Sequence, residues 1–306
     1  MNYSVKVENV IKTYPSGKKD KVMALDRISF QVEQGQLFGL IGPDGAGKSS
    51  LFRIMVTLLL ADSGSVTVEG IDVVKDYMKI REISGYMPGR FSLYQDLSVE
   101  ENLSFFATVF NTSVKENYEL IRDIYVQLEP FKDRKAGALS GGMKQKLALC
   151  CALIHRPKIL FLDEPTTGVD AVSRVEFWDM LKKLKTDGIT ILVSTAYMDE
   201  ASRCDHIALI NNGKILATDT PEGISRSFGE TLWAIKHPDM YGLLNQLRST
   251  DLVHAAYPSG EYHHITLHNK GQIDVLVQNL DHQGFTGSTY MEIEPNVEDV
   301  FMKKMK

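Results

Sequence analysis

The chain has 306 residues, a 43% hydrophobic composition and a formal net charge of -5. This length allows one large domain and a second, smaller one. The negative charge offers no broad attraction for a phosphate backbone, so no nucleic-acid partner is expected. No apolar run approaches the roughly 20 residues that cross a bilayer. The first ten residues alternate like a strand rather than forming a signal peptide, which predicts a cytosolic location.

Alternation between Ser4 and Val32 predicts antiparallel strands around a polar turn from Pro15 to Asp20. Later apolar runs are typical of buried parallel strands, at 37–41, 159–162 and 189–193. A helix is predicted from Lys48 to Leu60, directly after the first run. Two strands joined by a tight turn then complete the first domain, at 206–210 and 214–217.

Helical spacing dominates the stretch from Tyr94 to Cys151, which predicts an inserted helical subdomain at about 90–155. Three cysteines lack metal spacing and are interpreted as reduced and structural: Cys150, Cys151 and Cys204.

From Leu232 the order strand, helix, two strands, helix, strand and helix predicts a small α+β domain of the ferredoxin-like kind. The domain boundaries are therefore predicted at 1–228 and 229–306. The adjacent His263 and His264 fall on alternate faces of a strand, where surface positions are favoured over a metal role.

A phosphate-binding loop of the form G-x-x-x-x-G-K-[ST] lies between the first parallel strand and its helix, and it comprises Gly42, Pro43, Asp44, Gly45, Ala46, Gly47, Lys48 and Ser49, with Ser50 following. Its glycines let backbone N–H groups face phosphate oxygens beside a helix N-terminus. Lys48 would reach the β and γ phosphates of ATP, while Ser49 and Asp163 would hold Mg²⁺. A turn that binds nothing is the alternative, but a lysine buried there without an anion is costly.

Two further segments identify a family. Leu139-Ser140-Gly141-Gly142-Met143-Lys144-Gln145 precedes Ile159-Leu160-Phe161-Leu162-Asp163-Glu164-Pro165, and together they resemble the signature and magnesium-binding strand of ABC ATPases, with methionine at 143 in place of glutamine. The resemblance implies an α/β P-loop NTPase fold, with a RecA-like core, an antiparallel β subdomain and an inserted helical subdomain. It also implies that Ser140, Gly141 and Gly142 reach across a dimer to the nucleotide of a second ATPase subunit. A capped helix explains Ser140 but not the two glycines.

The same resemblance assigns Glu164 to the attacking water and Gly168-Val169-Asp170 to the loop that passes between subunits. Tyr14 stands where the family stacks a ring on adenine, although a surface tyrosine at a strand end is the alternative.

Two positions depart from the family pattern. Gly89 stands where a glutamine is expected, and Ala196 stands where a histidine contacts the γ-phosphate. Neither residue has a hydrogen-bonding side chain, so we expect ATP to bind and to be hydrolysed slowly, with a competent second subunit performing most of the turnover. Compensation by neighbouring groups and a deliberately altered sequence are the alternatives.

Phrases such as FSLYQDLSVEENL and EIEPNVEDVFMKKM are similar to ATP-binding subunits of ABC-2 type drug and efflux exporters, whose integral membrane subunits are separate chains. This implies a peripheral location on the cytoplasmic side of the membrane. Phe91, Leu93 and Tyr94 would then form a docking patch, unless they only pack the helical subdomain. The competing functions are a soluble ABC ATPase that remodels a macromolecule and an ATP-sensing regulator that does not hydrolyse.

Overall fold

The fold was analysed in a computed structural model that describes residues 3–16 and 20–305. The chain divides into two compact units, one up to Pro221 and one from Glu222 onward. The boundary between the units therefore lies before the domain boundary that the sequence predicted after residue 228. Part of the turn predicted at Pro15 to Asp20, residues 17–19, lies outside the described residues.

The first unit combines two sheets with helices on its inserted and connecting segments. Its strands are β1 (Tyr3–Ser16), β2 (Asp20–Glu33), β3 (Leu37–Ile41), β4 (Ser63–Val68), β5 (Ile71–Asp72), β6 (Ser84–Met87), β7 (Ile159–Asp163), β8 (Thr190–Thr195), β9 (His206–Asn211) and β10 (Lys214–Asp219). Its helices are α1 (Lys48–Met55), α2 (Tyr77–Ile83), α3 (Val99–Val109), α4 (Tyr118–Tyr125), α5 (Gly141–Leu153) and α6 (Ala171–Thr186). The short helix α7 (Pro221–Arg226) follows.

A six-stranded sheet of order β10-β9-β3-β8-β7-β6 carries the predicted buried strands. All its pairings are parallel except that of β10 with β9. Every residue of β3, β7 and β8 is buried, which explains why apolar residues follow one another in these strands instead of alternating with exposed polar ones. Since β3 and β7 both pair with β8, their carboxyl ends meet at one edge of the sheet.

The second sheet has the order β2-β1-β4-β5 and is antiparallel, as the alternation before residue 33 predicted. The predicted tight turn between β9 and β10 is also present. Asn212 and Gly213 both have positive φ, 46° and 72°, which is the conformation of a two-residue hairpin turn that matches strand twist.

The prediction that α1 extends to Leu60 is wrong, because the helix ends at Met55. Thr57 takes a left-handed φ of 66°, and the amides of Leu58 and Leu59 both bond to the carbonyl of Arg53. The apolar residues after Met55 therefore belong to a turn, in which Leu58 is 58% exposed.

The inserted helical segment is present as α3, α4 and α5. Ser98 begins α3 with a capping box, in which its hydroxyl accepts from the Glu101 amide and the Glu101 carboxylate accepts from the Ser98 amide. The three cysteines of the chain are buried and free. Burial raises the pKa of the Cys150 and Cys204 thiols, which suits packing rather than reactivity.

The second unit contains β11 (Leu232–Lys236), α8 (Met240–Ser249), β12 (Val253–Ser259), β13 (Tyr262–Leu267), α9 (Ile273–His282), β14 (Thr289–Ile293) and α10 (Val297–Lys304). The sheet has the order β12-β13-β11-β14 and is antiparallel throughout. This is the ferredoxin-like arrangement, in which β11 and β12 are connected through α8 and β13 lies between them in the sheet. Apolar residues of α8 and α9 cover one face of the sheet.

The interpretation of His263 and His264 as surface residues is wrong, because they are only 4% and 8% exposed. The Nε2 atom of His263 lies 2.7 Å from the carbonyl oxygen of Met240. On the opposite face, Nδ1 of His264 lies 2.6 Å from Oδ1 of Asp299, which also accepts from the hydroxyl of Tyr257 at 2.9 Å. The strand alternation was correct, but helices cover both faces.

Within the described ranges, the structure contains no helix with the length and apolarity that a membrane crossing needs.

Candidate functional site

The phosphate loop occupies the edge of the six-stranded sheet, between the end of β3 at Ile41 and the start of α1 at Lys48. Gly47 caps the helix with a φ of 106°, which only glycine adopts without strain. A Cβ atom would lie 2.4 Å from the carbonyl oxygen of Ala24 at Gly47, and 2.1 Å from that of Ile210 at Gly42. The close approach of neighbouring backbone thus explains both glycines.

The loop presents backbone N–H groups that donate no hydrogen bond within the described chain. The amides of Gly45, Gly47, Lys48 and Ser49 have no acceptor among the described residues. A cavity of about 150 Å³ lies beside them and is lined by Ala24, Gly45, Gly47, Lys48, Ser49, Ser50 and Glu164. Converging N–H groups at a helix N-terminus bind phosphate oxygens, so the residues present fit a nucleotide.

Lys48 is the buried cation of this site, with a side chain 3% exposed. Its Nζ atom donates to the carbonyl oxygens of Gly42 at 2.7 Å and Pro43 at 2.9 Å. It also lies 3.1 Å from Oε1 of Glu164. The ammonium is therefore held at the loop by oxygen atoms, in a position to exchange Glu164 for a phosphate.

Ser194, the penultimate residue of β8, bonds both acidic residues at the end of β7, Asp163 through its carboxylate and Glu164 through its backbone amide. The Ser194 hydroxyl donates to Oδ1 of Asp163 at 2.6 Å, and the amide of Glu164 lies 3.0 Å from both oxygens of Ser194. Glu164 has a left-handed φ of 50°, a strain that such hydrogen bonds sustain and that is common at functional sites. Sequence reasoning did not single out Ser194 as a site residue, although its place at the carboxyl end of a buried strand was a usable signal.

A magnesium ion fits this donor set when the nucleotide supplies ligands as well. Asp163 is 2% exposed and carries a carboxylate, and Ser49 lies in the first turn of α1. No cluster of three or more metal-ligating side chains occurs in the described residues. Mg²⁺ in nucleotide sites takes one or two protein oxygens and completes its shell with phosphates and water, which two protein residues can satisfy.

Gly89 lies against the backbone of Asp163 and the Cβ atom of Glu164. A Cβ atom there would be 3.1 Å from the carbonyl oxygen of Asp163 and 3.7 Å from Cβ of Glu164. Ala196 follows the end of β8, where the carbonyl oxygen of Thr195 accepts from the amide of Gly42. Both departures therefore fall beside the phosphate loop or the carboxylates, and neither supplies a polar side chain.

Tyr14 lies next to the phosphate loop. Its hydroxyl is 3.1 Å from Oγ of Ser50, and the ammonium of Lys12 stands 5.8 Å from the centre of its ring. The contact between Tyr14 and Ser50 places both residues beside the phosphate loop. Its role in adenine stacking stays a prediction.

The signature turn begins α5, where the exposed Ser140 accepts a hydrogen bond from the Met143 amide at 3.3 Å. A Cβ atom on Gly142 would lie 2.7 Å from Oγ of Ser173, so close packing against α6 requires a glycine here. Gly141 is exposed, and a Cβ atom there would lie 3.2 Å from the carbonyl oxygen of Gly168. None of the three signature residues lines the cavity beside the phosphate loop.

A buried parallel sheet, a glycine-rich loop with a buried lysine, and an aspartate and a glutamate at the carboxyl end of a second parallel strand define a P-loop NTPase. The comparison with known families agrees, since the ABC transporter family matches residues 25–167. The chain belongs to the ABC transporter ATP-binding proteins and is an ABC-type ATPase.

Individual relatives are similar over different lengths. The chain is 34% identical to the Nod factor export ATP-binding protein I of Rhizobium sp. (strain N33), over 92% of this chain and 91% of that protein. It is 41% identical to the probable multidrug ABC transporter ATP-binding protein YbhF of Escherichia coli (strain K12), over 74% of this chain. The match spans only 39% of that relative's length. The cassette MJ0796, solved as a dimer with ADP and Pi, aligns at 27% identity with a TM-score of 0.64, over 71% of this chain and 98% of that one.

Proposed function

We propose that the chain is the ATP-binding subunit of a membrane exporter, and that its own phosphate loop binds Mg-ATP but hydrolyses it slowly. It acts from the cytoplasmic side of the membrane, together with integral membrane subunits and a second ABC ATPase subunit. The signature turn at Ser140, Gly141 and Gly142 closes over the nucleotide of that second subunit, and no nucleic acid takes part.

The exporter assignment is supported by the relatives that match this chain. One is named for Nod factor export and another as a probable multidrug transporter protein. The signature geometry supports dimer closure, because Ser140 and Gly141 are exposed at the start of α5. Exposed N–H groups at a helix N-terminus are free to meet a phosphate supplied by another chain.

The single observation that supports slow hydrolysis is that the phosphate-binding loop is complete, whereas two polar side chains expected beside the catalytic residues are absent. Lys48, Asp163 and Glu164 are present with the contacts described above, whereas Gly89 lies beside the two acidic residues without a side chain. Hydrogen-bond donors aimed at developing charge act mainly in the transition state. Their loss therefore lowers the rate more than the affinity for ATP.

A groove between the helical subdomain and the segments around α2 and β6 supports a membrane partner. Phe91 and Leu93 line a cavity of about 330 Å³. Leu93 is only 8% exposed, so it forms the floor of the cavity rather than an exposed patch. Tyr94 does not line the cavity, is 50% exposed, and packs its ring edge-on against Phe105 at 4.8 Å.

The proposal is tested by isolating the native complex from membranes and identifying its subunits. We expect an integral membrane protein and an ABC ATPase that carries the glutamine and histidine absent here. Purified alone, the chain should bind Mg-ATP and turn it over slowly. Rapid turnover that Glu164→Gln abolishes would refute the slow-site assignment, and recovery of a ribosome or DNA in place of a membrane subunit would refute the exporter assignment.

A further inference from the structure

A cavity within the second unit lies where β11 begins and β13 ends, and it is called here the strand-end cavity. Its volume is about 350 Å³, more than twice that of the cavity beside the phosphate loop. Its lining includes Glu230, Trp233, His254, Leu267, His268 and Lys270. Pockets of roughly 300–1,000 Å³ commonly bind small molecules, so the strand-end cavity is large enough for one.

Part of the lining of the strand-end cavity is aromatic and apolar. Trp233 and Leu267 are partly buried and pack against the apolar core that the sheet forms with α8 and α9. The ring of Trp233 also contacts that of Tyr290, with centroids 6.1 Å apart. Because the core holds Trp233 and Leu267 from one side, they offer the cavity a fixed surface on which a planar apolar group can stack.

The ionisable side chains around the strand-end cavity leave an excess of positive charge. Of the described residues that line it, only Glu230 carries a carboxylate, and Oε1 of Glu230 lies 2.7 Å from Nζ of Lys303. The hydrogen bond from Lys303 lowers the pKa of Glu230, so this carboxylate is charged and already compensated at neutral pH. Lys270 is exposed, and no carboxylate in the described part of the chain pairs with its ammonium. The charge of Lys270 is therefore available to a ligand.

Two exposed histidines lie side by side at the strand-end cavity. The ring centroids of His254 and His268 are 5.2 Å apart. Nδ1 of His254 lies 3.4 Å from Oε2 of Glu230 and 3.5 Å from Oγ1 of Thr266, whereas its Nε2 atom has no hydrogen-bond partner among the described residues. An imidazole N–H group donates a hydrogen bond, and a protonated ring adds positive charge. Together with Lys270, the two rings suit an oxyanion.

We propose that the strand-end cavity binds a small carboxylate with a planar apolar body. The carboxylate contacts Lys270 and the two histidines, while the apolar body lies on Trp233 and Leu267. An indole ring also attracts cations, but the ammonium of Lys270 opposes a ligand of that charge. The residues of this cavity are separate from those of the phosphate loop, and the inference does not depend on the exporter function proposed above.

The test is an NMR titration of the full chain, labelled with ¹⁵N at the tryptophan side chains, and benzoate is the probe. The chain has two tryptophans, so Trp233 reports on the cavity and Trp178, which is buried in α6, is the internal reference. Benzoate should shift the indole resonance of Trp233 saturably and leave that of Trp178 unchanged. Benzamide and benzylamine carry a similar ring without negative charge, and each should bind roughly tenfold more weakly.

Variants of exposed residues locate the binding. Lys270→Glu should raise the Kd for benzoate roughly tenfold, and His268→Ala should raise it as well. Lys115→Glu makes the same change of charge at an exposed lysine that does not line the cavity, so it should leave the Kd unchanged. The Trp233 resonance without ligand checks that the second unit of each variant is folded.

Three results would overturn the proposal: no saturable shift of the Trp233 resonance, equal affinity for benzoate and benzamide, or a Kd that Lys270→Glu leaves unchanged. None of these results bears on the exporter function, which the isolation of the native complex tests separately.

Discussion

The two departures from the ABC pattern lead to a gain-of-function prediction, because returning the missing side chains should raise ATP turnover. Gly89→Gln places an amide beside Asp163 and Glu164, and Ala196→His places an imidazole after β8. One hydrogen-bond donor to developing charge is worth about 10²- to 10³-fold in rate. A Cβ atom at Gly89 would be 3.1 Å from the carbonyl oxygen of Asp163, so the backbone must shift by a few tenths of an ångström. We therefore expect kcat to rise about tenfold in Gly89→Gln alone and about 10²-fold in the double variant.

The assay is steady-state phosphate release at saturating Mg-ATP, with the Kd for ATP measured in parallel. Adding Glu164→Gln to the double variant should remove the gain, which assigns it to this site. Gly271→Gln is a matched control, because Gly271 is exposed and the nearest atom to an added Cβ is 3.8 Å away. A double variant with unchanged kcat and intact ATP binding would refute the reasoning that these two side chains limit hydrolysis.

Three further predictions concern stability and the loop. Gly47→Ala should weaken ATP binding at least tenfold in a titration, because its Cβ would lie 2.4 Å from the carbonyl oxygen of Ala24; unchanged affinity would contradict the close approach. Asp299→Ala leaves its buried partners unpaired and should lower the free energy of unfolding of the second unit by about 3–5 kcal/mol in urea, whereas the exposed Glu298→Ala should have little effect. The unfolded chain protonates His155 near pH 6.5 and the folded chain only at lower pH, so stability should fall as pH falls below 6.5. His155→Phe should reduce that slope, and an equal slope would contradict the lowered pKa.

Local patterns made the phosphate loop and the parallel strands predictable. The loop is a contiguous motif, and β3 and β7 contain short apolar runs because both faces of these strands are buried. The order of elements after Leu232 likewise indicated the ferredoxin-like sheet. For the loop and the strands the deciding information lay within a few residues of sequence, and for the second unit it lay in the succession of such local patterns.

Contacts between distant segments were not predictable. The ion pair of Lys48 with Glu164 joins α1 to the residue after β7, and the hydrogen bonds of Ser194 join β8 to Asp163 and to the amide of Glu164. The early end of α1 depends on the left-handed Thr57, which the apolar pattern concealed. The burial of His264 depends on Asp299 in α10. A helix and a strand, α9 and β14, separate the two residues along the chain.

The central claim is that the loop around Lys48 binds Mg-ATP, and equilibrium titration of the purified chain with a fluorescent ATP analogue in the presence of Mg²⁺ tests it most directly. The account predicts saturable binding that Lys48→Ala abolishes or weakens severely, and that the Gly89→Gln and Ala196→His double variant retains. Equal affinity of the parent chain and Lys48→Ala would contradict it.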